Sequence, residues 1–193
     1  MGARSLAAKK KPVIVIQNVV ATASLGQSMD LDSITRVLLG AQYRPEVFPA
    51  LIFRLKEPKT GILIFRTGKM VCTGAKSEQQ ARRAVLKVVD DLKMSGIAIL
   101  GKPDIQVQNI VASIELFGSV DLEKAAYSLE RTMYEPEQFP GLIYRMNDPK
   151  VVMLIFTSGK LVCTGAKKEE EVYEAVAKLQ ETLESKGLIT YTL

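Results

Sequence analysis

The chain has 193 residues, of which 47% are hydrophobic, 24% charged and 6% aromatic, with a net charge of +5; this is a globular composition, not a disordered or fibrous one, and allows one large domain or two small ones. It contains no histidine. That excludes Ser-His-Asp and Cys-His triads, His-ligated zinc or haem and an imidazole switch, and with them most common hydrolase chemistry.

Residues 1–11 read as a basic leader with Arg4, Lys9, Lys10 and Lys11 and no apolar run of signal-peptide length. The charge-free stretch from Pro12 to Met29 carries Gln17, Asn18, Thr22, Ser24, Gln27 and Ser28 and is too polar for a membrane span. The expected setting is cytoplasmic, with no membrane partner. Val13 to Thr22 is β-branched and reads as a strand. Asp30 opens a helix to about Leu39, with Leu31, Ile34 and Leu38 on one face. Strands are expected at Leu51–Leu55, Ile62–Arg66 and Lys69–Thr73, separated by turns at Glu57-Pro58-Lys59 and Thr67-Gly68. A long helix follows, with Ser77 as N-cap, Ala81, Ala84, Val85, Val88 and Leu92 at helical spacing, and Gly96 as its stop. The pattern then starts again. An offset of 91 residues sets residues 12–100 over 103–191 without a gap and with about 38 identities in 89 pairs. Such a unit is too long for a solenoid repeat, where periods are roughly 20 to 50 residues; it is a duplicated half, giving repeats at 12–100 and 101–193. The two cysteines, Cys72 and Cys163, are matched by this offset, form no CxxC pair and fit a reducing compartment; alternation with Val71 and Thr73 places them toward the helices.

Strands followed by segregated helices imply an α+β layer with an antiparallel sheet covered on one face. Leu63 and Phe65 have one parity and Ile62 and Ile64 the other, so apolar groups stand on both faces while the helices cover only one. The halves differ in charge. Residues 12–100 hold 12 Lys+Arg against 7 Asp+Glu, whereas 103–191 hold 9 against 14. Much of that acid, including Glu169, Glu170 and Glu171, lies on the second long helix.

Three segments occur twice: Gln-Asn-Val-Val-Ala at 17–21 and Gln-Asn-Ile-Val-Ala at 108–112; Phe-Pro-x-Leu-Ile-x-Arg at 48–54 and 139–145; and Gly-Lys-x-Val-Cys-Thr-Gly-Ala-Lys at 68–76 and 159–167. They resemble the two direct repeats of the TATA-box-binding protein family, in its archaeal form, over nearly the whole chain. The C-terminus lacks the acidic tail of some archaeal members.

The resemblance implies a saddle-shaped, curved antiparallel sheet of ten strands, with helices on its convex back and its underside laid into the minor groove of double-stranded TATA-box DNA. Kinking by inserted wedges is known of this family and is not deduced from these residues. By resemblance, the wedges are Phe48, Phe65, Phe139 and Phe156. A flat ring replaces lost stacking without adding a polar group in need of a partner. Val20, Leu63, Val71, Val111, Leu154 and Val162 would supply an apolar floor, which has no partner for the guanine amino group and favours A·T pairs. Asn18 and Asn109, with Thr73 and Thr164, would donate to adenine N3 and thymine O2. Arg54, Lys69, Lys76, Arg145, Lys160 and Lys167 would hold phosphates. The family reading adds transcription factor B as a partner, gripping the loop at Glu135, Glu137 and Gln138, and RNA polymerase indirectly. The free chain is expected to be able to form a homodimer through its uncovered face. The location follows the lineage: nucleoid in an archaeon, nuclear only in a eukaryote. No cofactor, metal or catalytic residue is called for.

Other readings stay open. A Phe in a strand is most often a core residue, and duplication copies cores too. The same rings could stack on splayed single-stranded RNA or DNA. A ligand pocket under a closed apolar face is a third reading, although no paired carboxylates or metal spacing support it. The Thr-Gly-Ala-Lys repeats lack the spacing of a phosphate-binding P-loop.

Overall fold

The structure, a computed structural model, describes residues 10–191. The rest of the basic leader and the last two residues lie outside them. In chain order the elements are β1 (Val13–Ser24), α1 (Leu31–Val37), β2 (Ala50–Lys56), β3 (Lys59–Phe65), β4 (Lys69–Ala75), α2 (Glu78–Met94), β5 (Asp104–Glu115), β6 (Ser119–Val120), α3 (Leu122–Ser128), β7 (Thr132–Met133), β8 (Leu142–Arg145), β9 (Val152–Ile155), β10 (Lys160–Ala166), α4 (Glu169–Ser185) and β11 (Ile189–Thr190). The chain divides into two compact units, one of residues 16–110 and one joining the residues up to Val15 with those from Val111 onward. The division runs through β1 and β5, so each unit takes strand residues from both sequence repeats.

In the 16–110 unit the strand order is β2-β3-β4-β1, with the first half of β5 beside β1. β2 and β3 form a hairpin whose ladder runs from Ala50 opposite Phe65 to Lys56 opposite Lys59, closed by Glu57 and Pro58. β3 therefore starts three residues earlier than its apolar run, because a hairpin keeps pairing up to its turn whatever the polarity of the side chains. β4 pairs with β3 and β1, the latter with an irregularity between Val19 and Ala21. In the other unit the second half of β5 is followed by β10, β9, β8 and β7, again antiparallel through β10-β9-β8-β7. β6 and β11 form a separate two-stranded ladder.

Nine of the described strands belong to the main ladders. The tenth is reduced to a single bridge: Gln42 meets Ile52 where, 91 residues on, β7 pairs Met133 with Ile143.

Capping explains where most of the helices begin. Asp30 accepts from the Ser33 N–H at 3.2 Å, Asp121 from the Lys124 N–H at 3.0 Å, and Ser77 from the Gln80 N–H at 3.0 Å. Lys168 caps α4 without a side-chain bond, but Glu169, Glu170 and Glu171 place negative charge in the first turn, where the helix dipole favours it. α1 is shorter than its apolar spacing suggests, because Leu38 is already extended. The long helices stop at Gly96 and Gly187, both at positive φ.

The core of the 16–110 unit lies between one sheet face and both helices. Leu51, Phe53, Ile62, Ile64, Met70 and Cys72 from the strands meet Leu31 and Ile34 of α1 and Val85, Val88 and Leu92 of α2. In the other unit Leu142, Met153, Ile155, Leu161 and Cys163 are buried, as are Val172, Val176, Leu179 and Leu183 of α4. Both cysteines are fully buried, on the parity that their sequence neighbours imply. The helices cover that parity alone; residues of the opposite parity remain partly exposed.

Candidate functional site

On the uncovered face of the 16–110 unit stand Val20, Leu63, Phe65 and Val71, each partly exposed, with Thr73 exposed beside them. The matched face of the other unit carries Val111, Leu154, Phe156, Val162 and Thr164, all partly exposed. Ile62, Ile64 and Ile155, the alternating residues of the same strands, are fully buried. This is the period-2 division expected of a sheet covered on one side.

At the end of each face two phenyl rings meet. Phe48 is 39% exposed and stands edge-on to Phe65, with centroids 6.3 Å apart and planes at 64°. Phe139 is 38% exposed and meets Phe156 at 5.9 Å and 69°. None of the four rings is sealed under a helix. Edge-to-face contact is the favoured geometry of such a pair. Phe48 and Phe139 follow identical turns: the N–H groups of Val47 and Phe48 donate to the Arg44 carbonyl at 2.9 Å, and those of Gln138 and Phe139 to the Glu135 carbonyl at 2.9 Å. The rings differ in their support. Gly141 stands where the first repeat has Ala50, and a Cβ there would lie 2.8 Å from the Phe139 ring and 3.0 Å from that of Phe156.

Asn18 has a defined orientation. Its Oδ1 accepts the Gly74 N–H at 2.7 Å, and its Nδ2 lies 3.3 Å from the Thr73 hydroxyl. With the carbonyl end held by backbone, the amide presents its donor end. Asn109 and Thr164 occupy the matched places and are themselves engaged.

The six basic residues singled out in the sequence are all exposed, and they divide among four clefts. Arg54 and Lys76 share an open cleft of about 790 Å³ with Lys56 and Lys59. Arg145 and Lys167 share one of about 630 Å³ with Arg131 and Lys150, but Asp148, Glu171 and Glu174 also line it. Lys69 lies apart, beside Asp104 and Gln106. Lys160 lies beside Val13, Val15 and Phe156. The Lys76 ammonium donates to the Gln17 carbonyl at 2.8 Å, which fixes its stem against β1. Lys59 escaped the sequence reading because Glu57-Pro58-Lys59 was read only as a turn, and Lys56 and Lys150 were not singled out; the lysine one residue after the proline in both repeats, Lys59 and Lys150, was the available signal.

Burial pushes the Cys72 thiol up to about 11 and the Cys163 thiol up to about 12. Neither is a thiolate nucleophile at neutral pH. Among the described residues no group of three or more His, Cys, Asp or Glu side chains is arranged to hold a metal, and no helix is long and apolar enough to cross a membrane.

Comparison with known proteins gives the same reading from independent directions. The sequence model of the family described as "Transcription factor TFIID (or TATA-binding protein, TBP)" matches residues 13–94 and again 104–186. A TATA-box-binding protein of Pyrodictium occultum is 59% identical over 173 residues, covering 90% of this chain and 87% of its own. One from Pyrobaculum neutrophilum is 54% identical over 182 residues, covering 94% and 92%. The solved structure described as Methanococcus jannaschii TBP superposes with a TM-score of 0.81 at 47% identity, covering 89% of this chain and 98% of that one. A family model matched twice in tandem, relatives from archaea above half identity and a shared fold all agree: this chain belongs to the TATA-binding protein family, whose members are DNA-binding transcription factors and not enzymes.

Proposed function

We propose that this protein binds TATA-box promoter DNA in the minor groove, kinks it by insertion of Phe48, Phe65, Phe139 and Phe156, and nucleates assembly of the transcription machinery. The observation that carries this reading is the half-exposed phenyl pair at the end of an otherwise apolar, uncovered sheet face in each unit. A monomeric protein seldom leaves such a face open without a partner. Unstacking a base step costs a few kcal/mol, which ring insertion and burial of Val20, Leu63, Val71 and their repeats offset at about 25 cal/mol per Å².

Asn18 supports base contact. Its oxygen is committed to Gly74 and one amide hydrogen to the Thr73 hydroxyl, so the remaining hydrogen suits the acceptors that A·T pairs show in the minor groove. Arg54, Lys69, Lys76 and their counterparts Arg145, Lys160 and Lys167 hold phosphates, and Lys56, Lys59 and Lys150 join them by sharing their clefts. Transcription factor B docks at Glu135, Glu137 and Gln138, and RNA polymerase is recruited through it. Without DNA, the apolar faces offer a surface for homodimerisation. The site of action is the nucleoid.

The test is binding and bending of A·T-rich duplex, G·C-rich duplex and the single strands, read by fluorescence energy transfer between duplex ends. Preference for A·T-rich duplex with a sharp bend is expected. Equal bending of both duplexes, or tighter binding to single strands, overturns the reading. Glu135→Arg tests the partner: it should weaken the ternary complex with transcription factor B and leave duplex affinity nearly unchanged.

A further inference from the structure

The two repeats present the same turn with different charges around it. In the 16–110 unit, Arg66 follows Phe65 directly, and its Nε donates to the Tyr43 hydroxyl at 3.2 Å. Tyr43, Asp32 and Asp30 all favour the charged guanidinium, and Asp30 is in turn coupled to Arg36. Arg44 is the next residue after Tyr43 and accepts the turn bonds that set Phe48. Arg36, Arg44 and Arg66 therefore belong to one exposed surface formed by α1, the loop after it and the turn between β3 and β4.

The matched surface of the other unit has Tyr127, Glu135 and Thr157 at those three positions. Tyr127 is 92% exposed on α3, and Glu135 accepts the equivalent turn bonds. Over residues 30–48 with residue 66, three cations (Arg36, Arg44, Arg66) face three carboxylates (Asp30, Asp32, Glu46). Over 121–139 with residue 157, two cations (Lys124, Arg131) face five carboxylates (Asp121, Glu123, Glu130, Glu135, Glu137). The backbone is duplicated and the electrostatic surface is not. Selectivity between near-identical surfaces is gained by attraction on one or repulsion on the other, and specific interfaces commonly use both.

We propose that Arg36, Arg44 and Arg66 form an exclusion patch that keeps a basic protein partner off the 16–110 unit and confines it to the matched acidic surface of the other unit. This rests on the partner reading given above for transcription factor B. The direction in which the assembled complex faces is then written in three arginines as much as in the acidic loop. Arg66 contributes twice, by its charge and by occupying the Tyr43 hydroxyl, whereas Thr157 brings no guanidinium to Tyr134.

The experiment uses the full chain on an A·T-rich duplex and counts bound transcription factor B by native mass spectrometry. The wild type is expected to bind one copy. The exposed-surface variant R36Y/R44E/R66T should bind two, the second at least about tenfold more tightly than any second copy on the wild type. The converse variant Y127R/E135R/T157R should lose its single copy by about tenfold or more while still binding duplex, and serves where the first variant melts early. One copy on both the wild type and R36Y/R44E/R66T overturns the exclusion patch alone, whereas unchanged affinity in the converse variant overturns docking at Glu135 and the patch with it. A wild type that binds duplex but no transcription factor B overturns the partner reading itself and the patch with it.

Discussion

The ring of Phe139, in the turn before β8, stands edge-on to that of Phe156, just after β9, with 5.9 Å between centroids although the two are 17 residues apart. Their mutual contact orders both rings without burying either, which on the proposed function would make them a preset wedge.

Removing one ring therefore separates binding from folding. Phe156→Ala should lower affinity for A·T-rich duplex by roughly 10- to 100-fold, the loss of about 1–3 kcal/mol of base–aromatic stacking, and reduce the bend. Thermal stability should change far less than for a core phenylalanine, where truncation costs about 3–5 kcal/mol. Calorimetric melting beside a fluorescence bending assay checks this.

Gly141→Ala probes the same pair without touching a ring. The added Cβ would press on the edges of both rings, and overpacking costs about 1–3 kcal/mol where neighbours cannot yield. Half-exposed rings can yield, and Ala50 is accommodated at the matched position with rings 6.3 Å apart. Folding should be nearly unaffected and the bend altered. Bending identical to wild type would show that ring spacing does not govern it.

Phosphate contacts predict a salt dependence. If Arg54, Lys56, Lys59, Lys69, Lys76, Arg145, Lys150, Lys160 and Lys167 each displace a counterion, log affinity should fall against log salt with a slope of about −8, at roughly −0.9 per phosphate. Lys59→Ala should make the slope shallower by about one unit, from its place in the cleft beside Arg54 and Lys76. An unchanged slope would remove Lys59 from the contact.

The thiols predict behaviour in alkali. Burial raises Cys72 to about 11 and Cys163 to about 12, above the ordinary value near 9. The folded state thus holds these protons more tightly. Their contribution is complete below about pH 9 and is lost as pH rises through 11 to 12. Urea midpoints should fall over that window, and less steeply in a C72A/C163A variant, where the other alkaline titrations remain. At pH 8 the native thiols should resist alkylation and react only on unfolding.

Period-2 alternation in Ile62-Leu63-Ile64-Phe65 was enough to assign faces, since buried and half-exposed residues follow that parity without exception. Caps at Asp30, Ser77 and Asp121 were legible because each oxygen serves an N–H three residues on. Strand ends were not. β3 begins at Lys59 because pairing, not polarity, sets a hairpin's length. The ladder of β6 with β11 has only two residues on each side, too few for any pattern. Its repeat is made differently: Gln27 reaches the Ala98 carbonyl and the Leu100 N–H with its side chain, where Gly118 leaves room for Tyr191. Among the site residues, the rings and basic side chains were visible as matched residues, but the Asn18–Gly74 bond and the Arg66–Tyr43 pair were not, since they join residues 56 and 23 apart that only the fold brings together.

The boundary drawn through β1 and β5 means that the stretch copied in the gene is not the piece that closes in space. A fragment ending at Leu100 would keep β1 but lose Asp104–Ile110, its neighbour within the same compact unit. It would display a raw row of amide and carbonyl groups, the kind of strand margin that recruits another chain. Severing the polypeptide at Gly101 should yield adhesive fragments rather than two independent halves.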